Sequence, residues 1–193
     1  MCYPSFGAVG SEYGVLIKTG SEGSVSITCP WTSLGRYDYT HATSDGVETC
    51  LATGDTWNMC ADKKKMSFDL VSCSTKVAYA SVAVSCIDSV PGTAETYVTV
   101  YNGGAVDNST LFQFACFALS NDMTKASVAP GYCRKSQTSS SWPIDVATNN
   151  EIGGTLDVTN TYETCREYAF VLKANYIGCL CLSLLLEKVH LVK

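Results

Sequence analysis

The sequence has few histidines and few charged residues. Only 2 histidines occur among 193 residues, and charged residues make up 16% of the chain. Lys63, Lys64 and Lys65 form its one basic cluster, and the net charge is −5. Nucleic-acid-binding proteins usually carry a basic patch or stripe. We therefore expect no nucleic-acid partner.

Sequence signatures of catalysis and of cofactor binding are also missing. The chain has no G-x-S-x-G, no G-x-G-x-x-G, no P-loop and no EF-hand loop. His41 lies in a polar stretch without a nucleophile and an orienting group beside it, which triad chemistry needs, so we interpret it as a surface or hydrogen-bonded histidine. Zinc sites use paired cysteines, and only Cys179 and Cys181 are closely spaced. We expect no enzyme, no metal and no cofactor.

No apolar run is long enough to span a bilayer. The longest, at 176–186, covers 11 residues, against the ~20 that a spanning helix needs. We expect no membrane span. We expect this run to form a core strand, a core helix or an apolar edge that a partner covers. The first residues show no signal-peptide pattern, so we expect the numbering to begin on a mature or truncated chain.

Cysteine, in contrast, is plentiful, with 11 residues in the chain. Spread along a chain of this length, cysteines favour a disulfide framework in an extracellular, secreted protein. The candidates for intramolecular bonds are Cys29, Cys50, Cys60, Cys73, Cys86, Cys116, Cys133 and Cys165. The candidates for an unpaired or intermolecular cysteine are Cys2, Cys179 and Cys181, which lie near the ends of the sequence.

The connectivity of the disulfides does not follow from the sequence. The turn-rich segments between them favour Cys50–Cys60 and Cys116–Cys133 as neighbour pairs. Seven cysteines lie between Cys29 and Cys133, and seven is odd. We therefore expect a terminal segment to be tied covalently to the central domain, unless a thiol there is free or bonded to another chain.

One glycosylation sequon supports the same compartment. Asn108 begins the sequence Asn-Ser-Thr in a turn-rich stretch, and such sites lie on surface loops of secreted proteins. We expect a glycoprotein modified at Asn108.

Alternation of polar and apolar residues predicts a chain built of short strands. The pattern occurs at 24–29, 66–73, 77–86, 96–101, 111–119 and 155–159. We expect an all-β, disulfide-stabilised antiparallel barrel or sandwich, with a short C-terminal helix or strand. The helix candidate is 163–173, and residues 40–66 are polar and turn-rich.

The same patterns divide the chain into three parts. They are an N-terminal arm or strand at 1–23, a cysteine-rich β domain at 24–160 and a C-terminal appendage at 161–193.

Several aromatic residues lie in or beside turns. Exposed tryptophan and tyrosine give rigid, amphipathic contact area for ligands and proteins. The candidate binding aromatics are Trp31, Tyr37, Trp57 and Trp142. The alternative for each is packing in the core at the end of a strand.

The order of cysteines and aromatic residues resembles a known type of domain. The shared elements are Cys29-Pro30, Leu34 to Tyr37, Cys50, Trp57 to Cys60, Phe68 to Cys73, Val84 to Cys86, Tyr97 to Tyr101, Phe114 to Phe117 and Gly131 to Cys133. Together they resemble cysteine-rich extracellular domains of mollusc and other invertebrate secreted or membrane-anchored proteins. The resemblance covers residues 24–160 and implies an all-β, disulfide-bonded extracellular module. It implies no active site.

We therefore expect a non-enzymatic extracellular interaction or structural module in a secretion, a matrix or a multi-subunit assembly. Its partner would be another protein or a second copy of the chain. Two alternatives stay open. One is a carrier that holds a small apolar ligand in a β-barrel lined by Phe, Leu and Val. The other is a glycan-binding module that uses exposed aromatics.

Overall fold

Buried and exposed side chains alternate along the first long strand, as a half-buried sheet requires. This strand, β1 (Arg36–Thr43), buries Tyr37, Tyr39 and His41 on one face. The structure, a computed structural model, describes residues 15, 17–18, 20–21, 24–45, 49–50, 55–69, 83–104, 106 and 112–165. For Trp31, Thr49 and Cys50 it describes the backbone alone.

The described residues form a closed antiparallel barrel of eight strands. Besides β1, the strands are β2 (Thr49–Cys50), β3 (Thr56–Asn58), β4 (Lys65–Asp69), β5 (Ala83–Pro91), β6 (Glu95–Tyr101), β7 (Phe114–Ser120), β8 (Lys125–Pro130), β9 (Ile144–Asp145), β10 (Asn150–Glu151) and β11 (Gly154–Glu163). Eight of these strands form the barrel, and each pairs with the next in the order β1, β3, β4, β5, β6, β7, β8 and β11. The ladder between β11 and β1 closes it. The short β2 pairs with β1, and β9 and β10 form a separate hairpin.

The predicted all-β fold is confirmed, and of its two architectures the barrel is the one found. Strands predicted at 66–73, 77–86, 96–101, 111–119 and 155–159 overlap with β4, β5, β6, β7 and β11, in that order. Where the residues are described, the strand boundaries are shifted by a few positions.

One sequence expectation about secondary structure is wrong. Residues 25–30 form no strand, although the Ile27 amide donates to the Cys86 carbonyl at 2.8 Å. Glu163 belongs to β11, and most of the helix candidate 163–173 lies outside the described residues. The stretch 40–66 holds the end of β1, all of β2 and β3 and the start of β4 besides its turns. The strand β8 had no counterpart among the predictions.

Three disulfides occur in the described residues: Cys29–Cys86, Cys60–Cys165 and Cys116–Cys133. The predicted pair Cys116–Cys133 is confirmed. The predicted pair Cys50–Cys60 is wrong, because Cys60 is bonded to Cys165. This bond attaches the segment after β11 to the loop between β3 and β4, as the odd cysteine count predicts. The side chains of Cys2, Cys50, Cys73, Cys179 and Cys181 lie outside the described residues.

These disulfides place the chain in an oxidising environment outside the cytosol. Among the residues that the structure describes, none belongs to a helix of the length and hydropathy that a membrane crossing requires. The apolar run 176–186 lies outside the described residues, as do 1–14 at the start of the chain. The domain was expected to end at residue 160. In the structure β11 reaches Glu163, and Cys165 is bonded to Cys60.

A second layer covers part of the outside of the barrel. The segment between β8 and β11 folds over the outer faces of β6, β7 and β8. Buried Gln137 anchors it, since its amide nitrogen donates to the Cys116 carbonyl at 3.2 Å and to the Ser127 hydroxyl at 3.1 Å. The Tyr97 hydroxyl donates to the Gln137 carbonyl at 2.7 Å. This segment therefore satisfies polar groups on the outer face of the sheet.

Candidate functional site

At one end of the barrel, β1, β4, β6 and β8 finish and β3, β5, β7 and β11 begin. We call this the His41 end. His41, Tyr39 and Asp55 are buried there, and so is Leu156, which pairs with His41 across the β1–β11 ladder. The smaller buried residues at this end are Val84, Val100, Ala115, Val128 and Gly154.

Large side chains fill the middle and the opposite end of the barrel. The rings of Trp57 and Phe68 stack at 5.6 Å between centroids, and those of Phe68 and Phe117 stack at 6.0 Å. Further large side chains buried in the same core are Leu34, Tyr37, Met59, Met66, Leu119 and Met123. Together these side chains form the core of the barrel.

His41 reaches the interior because β1 alternates, and Gly154 on the paired strand leaves space for it. A Cβ atom built on Gly154 would lie 2.7 Å from Nε2 of His41, well inside van der Waals contact. The imidazole is 2% exposed. Any residue other than glycine at position 154 would push the ring out of its place.

Tyr39 and Asp55 lie beside His41 at this end. The Tyr39 amide donates to the Asp55 carbonyl at 3.3 Å, which fixes the start of β3 against β1. Tyr39 is 1% exposed, and its ring packs edge-on against Phe68 with 6.0 Å between centroids. Asp55, also buried, is close enough for its charge to act on both Tyr39 and His41.

Three polar atoms at this site have no hydrogen-bond partner among the described residues, namely the Tyr39 hydroxyl and both ring nitrogens of His41. Nε1 of Trp57, in the aromatic stack of the core, also has none. A buried polar group without a partner costs about 1–3 kcal/mol. Such groups are rare in folded proteins, and several together indicate a place for water or for a ligand.

Burial keeps the two titratable groups of this set uncharged at neutral pH. It lowers the pKa of His41 to about 4, although the nearby Asp55 carboxylate acts in the opposite direction. It raises the pKa of Tyr39 far above its ordinary value, and the charges of Asp55 and Asp69 add to that effect. At pH 7 the site therefore presents a neutral imidazole and a neutral phenol.

The comparison with family models identifies the domain around this site. A family described as a domain of unknown function (DUF7042) matches residues 25–147, more than half of the chain. The chain belongs to this family. The comparisons with curated proteins and with solved structures found no match. The DUF7042 range includes Tyr39, His41, Asp55 and Trp57, whereas Gly154 follows it.

Two of the predicted binding aromatics of this DUF7042 chain are not at the surface. Tyr37 and Trp57 are buried in the barrel core, so the expectation that they are exposed contact residues is wrong. Trp142 is half-buried, and the side chain of Trp31 lies outside the described residues. Asn108 also lies outside them, and glycosylation there stays a prediction.

Sequence reasoning missed Tyr39 and Asp55 as site residues, and it did not place His41 in the interior. The signal was present in β1, where Tyr37, Tyr39 and His41 alternate with Asp38 and Thr40. That alternation predicts a strand with three ring-bearing side chains on one face. No three His, Cys, Asp or Glu side chains come together as metal ligands in the part of the chain that the structure describes.

Proposed function

We propose that this protein is an extracellular carrier that holds one small ligand at the His41 end of its barrel. The observation that supports this most is the set of unpartnered polar atoms on Tyr39, His41 and Trp57 inside a closed barrel. Eight strands enclose an interior that either fills with side chains or holds one small ligand. Ligand sites combine apolar walls with a few converging polar groups.

The contacts of the described residues support the placement of the ligand. Asp55 lies near Tyr39 and His41, and Phe68, whose ring contacts Tyr39, stacks with Trp57 and Phe117. A ligand at this end would have its polar group against Tyr39 and His41.

A fluorescence titration tests the proposal. N-phenyl-1-naphthylamine is a neutral, apolar probe whose emission rises in an apolar site, and we expect saturable binding of one molecule per folded, oxidised chain. The reduced and alkylated chain should not bind it saturably. Val146→Ser is the matched surface control, because Val146 is 60% exposed on the covering segment.

An NMR measurement locates the bound probe. The chain has 3 tryptophans, so its spectrum contains three indole N–H signals, which Trp31→Phe and Trp142→Phe variants assign. Binding in the barrel should shift the Trp57 signal. Absence of saturable binding, or binding that leaves the Trp57 signal in place, would refute the carrier function.

We propose further that the protein is secreted and is glycosylated at Asn108. The disulfides support an oxidising compartment, and the sequon supports passage through a glycosylating one. Expression in a eukaryotic secretory host, with and without Asn108→Gln, tests both points. A secreted product whose mass does not change with this substitution would refute the glycosylation.

A protein-interaction module is the second candidate, and the covering segment supports it. Tyr132, Ile144 and Val146 are exposed apolar residues on this segment, and apolar groups of this kind are common in protein interfaces. Light scattering of the oxidised protein, compared with a Tyr132→Ser and Val146→Ser variant, tests self-association. A monomer in both samples would count against self-assembly.

A further inference from the structure

The three disulfides of the described residues differ in their exposure to solvent. Cys60 and Cys165 are half-buried. The cysteines of the two other bonds are each at most 1% exposed, and these bonds are Cys29–Cys86 and Cys116–Cys133. A disulfide is broken by a thiolate that reaches one of its sulfur atoms, so the rate depends on access. Of the three bonds, Cys60–Cys165 is therefore the most open to an external thiol.

The Cys60–Cys165 bond joins the two strands on either side of β1. Cys60 follows β3, which pairs with one edge of β1, and Cys165 follows β11, which pairs with the other edge. The first residue of β1 pairs with Asn58 on one side and with Glu163 on the other. The bond therefore spans the start of β1, at the end of the barrel opposite the His41 end.

Among the described strands, the part of β11 next to this bond is paired on one side only. Residues 154–157 pair with both β1 and β8, whereas residues 159–163 pair with β1. The ladder with β1 has two irregularities in this part, which interrupt its regular hydrogen bonding. The side chains of residues 159–163 are exposed. Segments with exposed side chains and exposed backbone hydrogen bonds open at a low free energy.

Side-chain contacts add little to this attachment. The Arg36 guanidinium lies over the ring of Tyr162, with 5.3 Å between Cζ and the ring centroid, and Tyr162 is 56% exposed. Tyr162 also forms a hydrogen bond with Asp38. Such contacts at the surface are weak because water competes for them. Of these connections between the end of β11 and the rest of the barrel, the disulfide is therefore the strongest.

We propose that Cys60–Cys165 is a redox-sensitive clasp, and that its reduction by an external dithiol releases residues 159–163 from β1 while the rest of the barrel stays folded. One thiolate of the dithiol attacks a sulfur of the bond, forms a mixed disulfide and displaces the other cysteine as a thiolate. The second thiol of the reagent then displaces the remaining cysteine. Two electrons and two protons pass from the dithiol to the cysteine pair, so the pair becomes two thiols and the dithiol becomes a disulfide. This inference does not depend on the carrier function.

Stepwise alkylation tests which bond reacts first. Iodoacetamide blocks the free thiols of the oxidised chain, dithiothreitol then acts on the folded protein at pH 7.5, and N-ethylmaleimide labels each cysteine that is released. Peptide mass spectrometry quantifies the label on each cysteine separately. We expect Cys60 and Cys165 to be labelled together, about tenfold faster or more than the cysteines of the two buried bonds. Equal or faster labelling of either buried bond would overturn the proposal.

Amide hydrogen exchange tests the structural consequence of reduction. In the oxidised protein, the amides of residues 159–163 that bond to β1 should exchange slowly. After reduction we expect them to exchange within about tenfold of the rate of an unfolded chain. Residues 154–157 are the internal control, since they pair on both sides, and they should stay protected. Slow exchange at 159–163 after complete reduction, or loss of protection in the whole barrel, would overturn the proposal.

The double variant Cys60→Ser with Cys165→Ser represents the permanently open form. Without dithiothreitol it should show fast exchange at 159–163, and dithiothreitol should have no further effect there. Oxidised glutathione should restore slow exchange in the reduced wild type and not in the variant. Exchange in the variant as slow as in the oxidised wild type would contradict the clasp. Circular dichroism checks that the variant is folded, and if it is not, the reduced and reoxidised wild-type samples decide the question.

Discussion

Acidification should destabilise this barrel in a pH range set by His41. Burial lowers the pKa of this residue to about 4, against 6.5 for an ordinary histidine. Between these two values the unfolded chain holds more protons than the folded chain. The free energy of unfolding therefore falls as the pH falls from 6.5 to 4, and outside this window His41 contributes no further change.

The expected size of the effect follows from the shift. Each pKa unit corresponds to about 1.4 kcal/mol, so the folded protein should lose roughly 3 kcal/mol through this one group. That is a large part of the total stability of a typical domain, about 5–15 kcal/mol. Asp55 faces His41, and its negative charge keeps the loss smaller than burial alone would make it. Tyr39 stays neutral across this range because its pKa is raised.

Urea denaturation with the disulfides intact, followed by tryptophan fluorescence between pH 7.5 and 4, measures this loss. His41→Gln removes the titrating group, so its stability should fall about 3 kcal/mol less than that of the wild type over the same range. His190→Gln controls for the second histidine of the chain. Hydrogen bonds hold the pKa values of Asp122 and Asp145 below the ordinary 3.8, so their contribution to stability is lost at lower pH.

Parallel pH profiles for the wild type and His41→Gln would refute the reasoning. They would mean that the imidazole takes up its proton without cost, and therefore that it is solvated or paired in solution. A direct NMR titration of the His41 ring should agree with the denaturation data. A midpoint at or above 6.5 would contradict the burial of the ring.

Three further substitutions test other parts of the structure. Gly154→Ala should destabilise the protein by roughly 1–3 kcal/mol through its clash with His41, and chemical denaturation should show that His41→Ala recovers part of the loss in the double variant. Replacing Cys60 and Cys165 by serine should lower the free energy of unfolding by roughly 3–4 kcal/mol, because this bond joins residues 105 positions apart. Calorimetry measures the loss, and an unchanged melting temperature would contradict it. Gln137→Leu should cost roughly 2–3 kcal/mol, because its side chain bonds the Cys116 carbonyl, the carbonyl and hydroxyl of Ser127 and the Arg134 amide. Proteolysis within the covering segment should become faster, and equal cleavage rates would contradict this anchoring role.

Local alternation was enough to predict the all-β fold and most of the central strands. Residues 96–101 form β6 almost as predicted, since period-two patterning and the Pro91-Gly92 turn act within a few positions of each other. The missed strand β8, Lys125–Pro130, is buried at four consecutive positions because the barrel covers one face and the covering segment the other. Burial on both faces removes the alternation on which the prediction depends.

The candidate site was harder to predict because it depends on chain closure. Tyr39 and His41 face the interior only because β1 pairs with β11, more than a hundred residues later. The fit of His41 against Gly154 results from the same long-range register. Cys60–Cys165 shows the same limit, since the odd cysteine count predicted a link to a terminal segment but not which residues form it.

The disulfides also determine how the domain would respond to a mechanical pull. Cys29–Cys86 and Cys60–Cys165 interlock along the sequence, because Cys60 lies between the two ends of the first bond. A force applied before Cys29 and after Cys165 acts between these two bonded pairs, which three stretches of chain join in parallel: 29–60, 60–86 and 86–165. The shortest of them, 60–86, limits the separation of the two pairs to about 90 Å. Attached at both ends, the domain would act as a tether with a short maximum extension, even when its strands unfold under load.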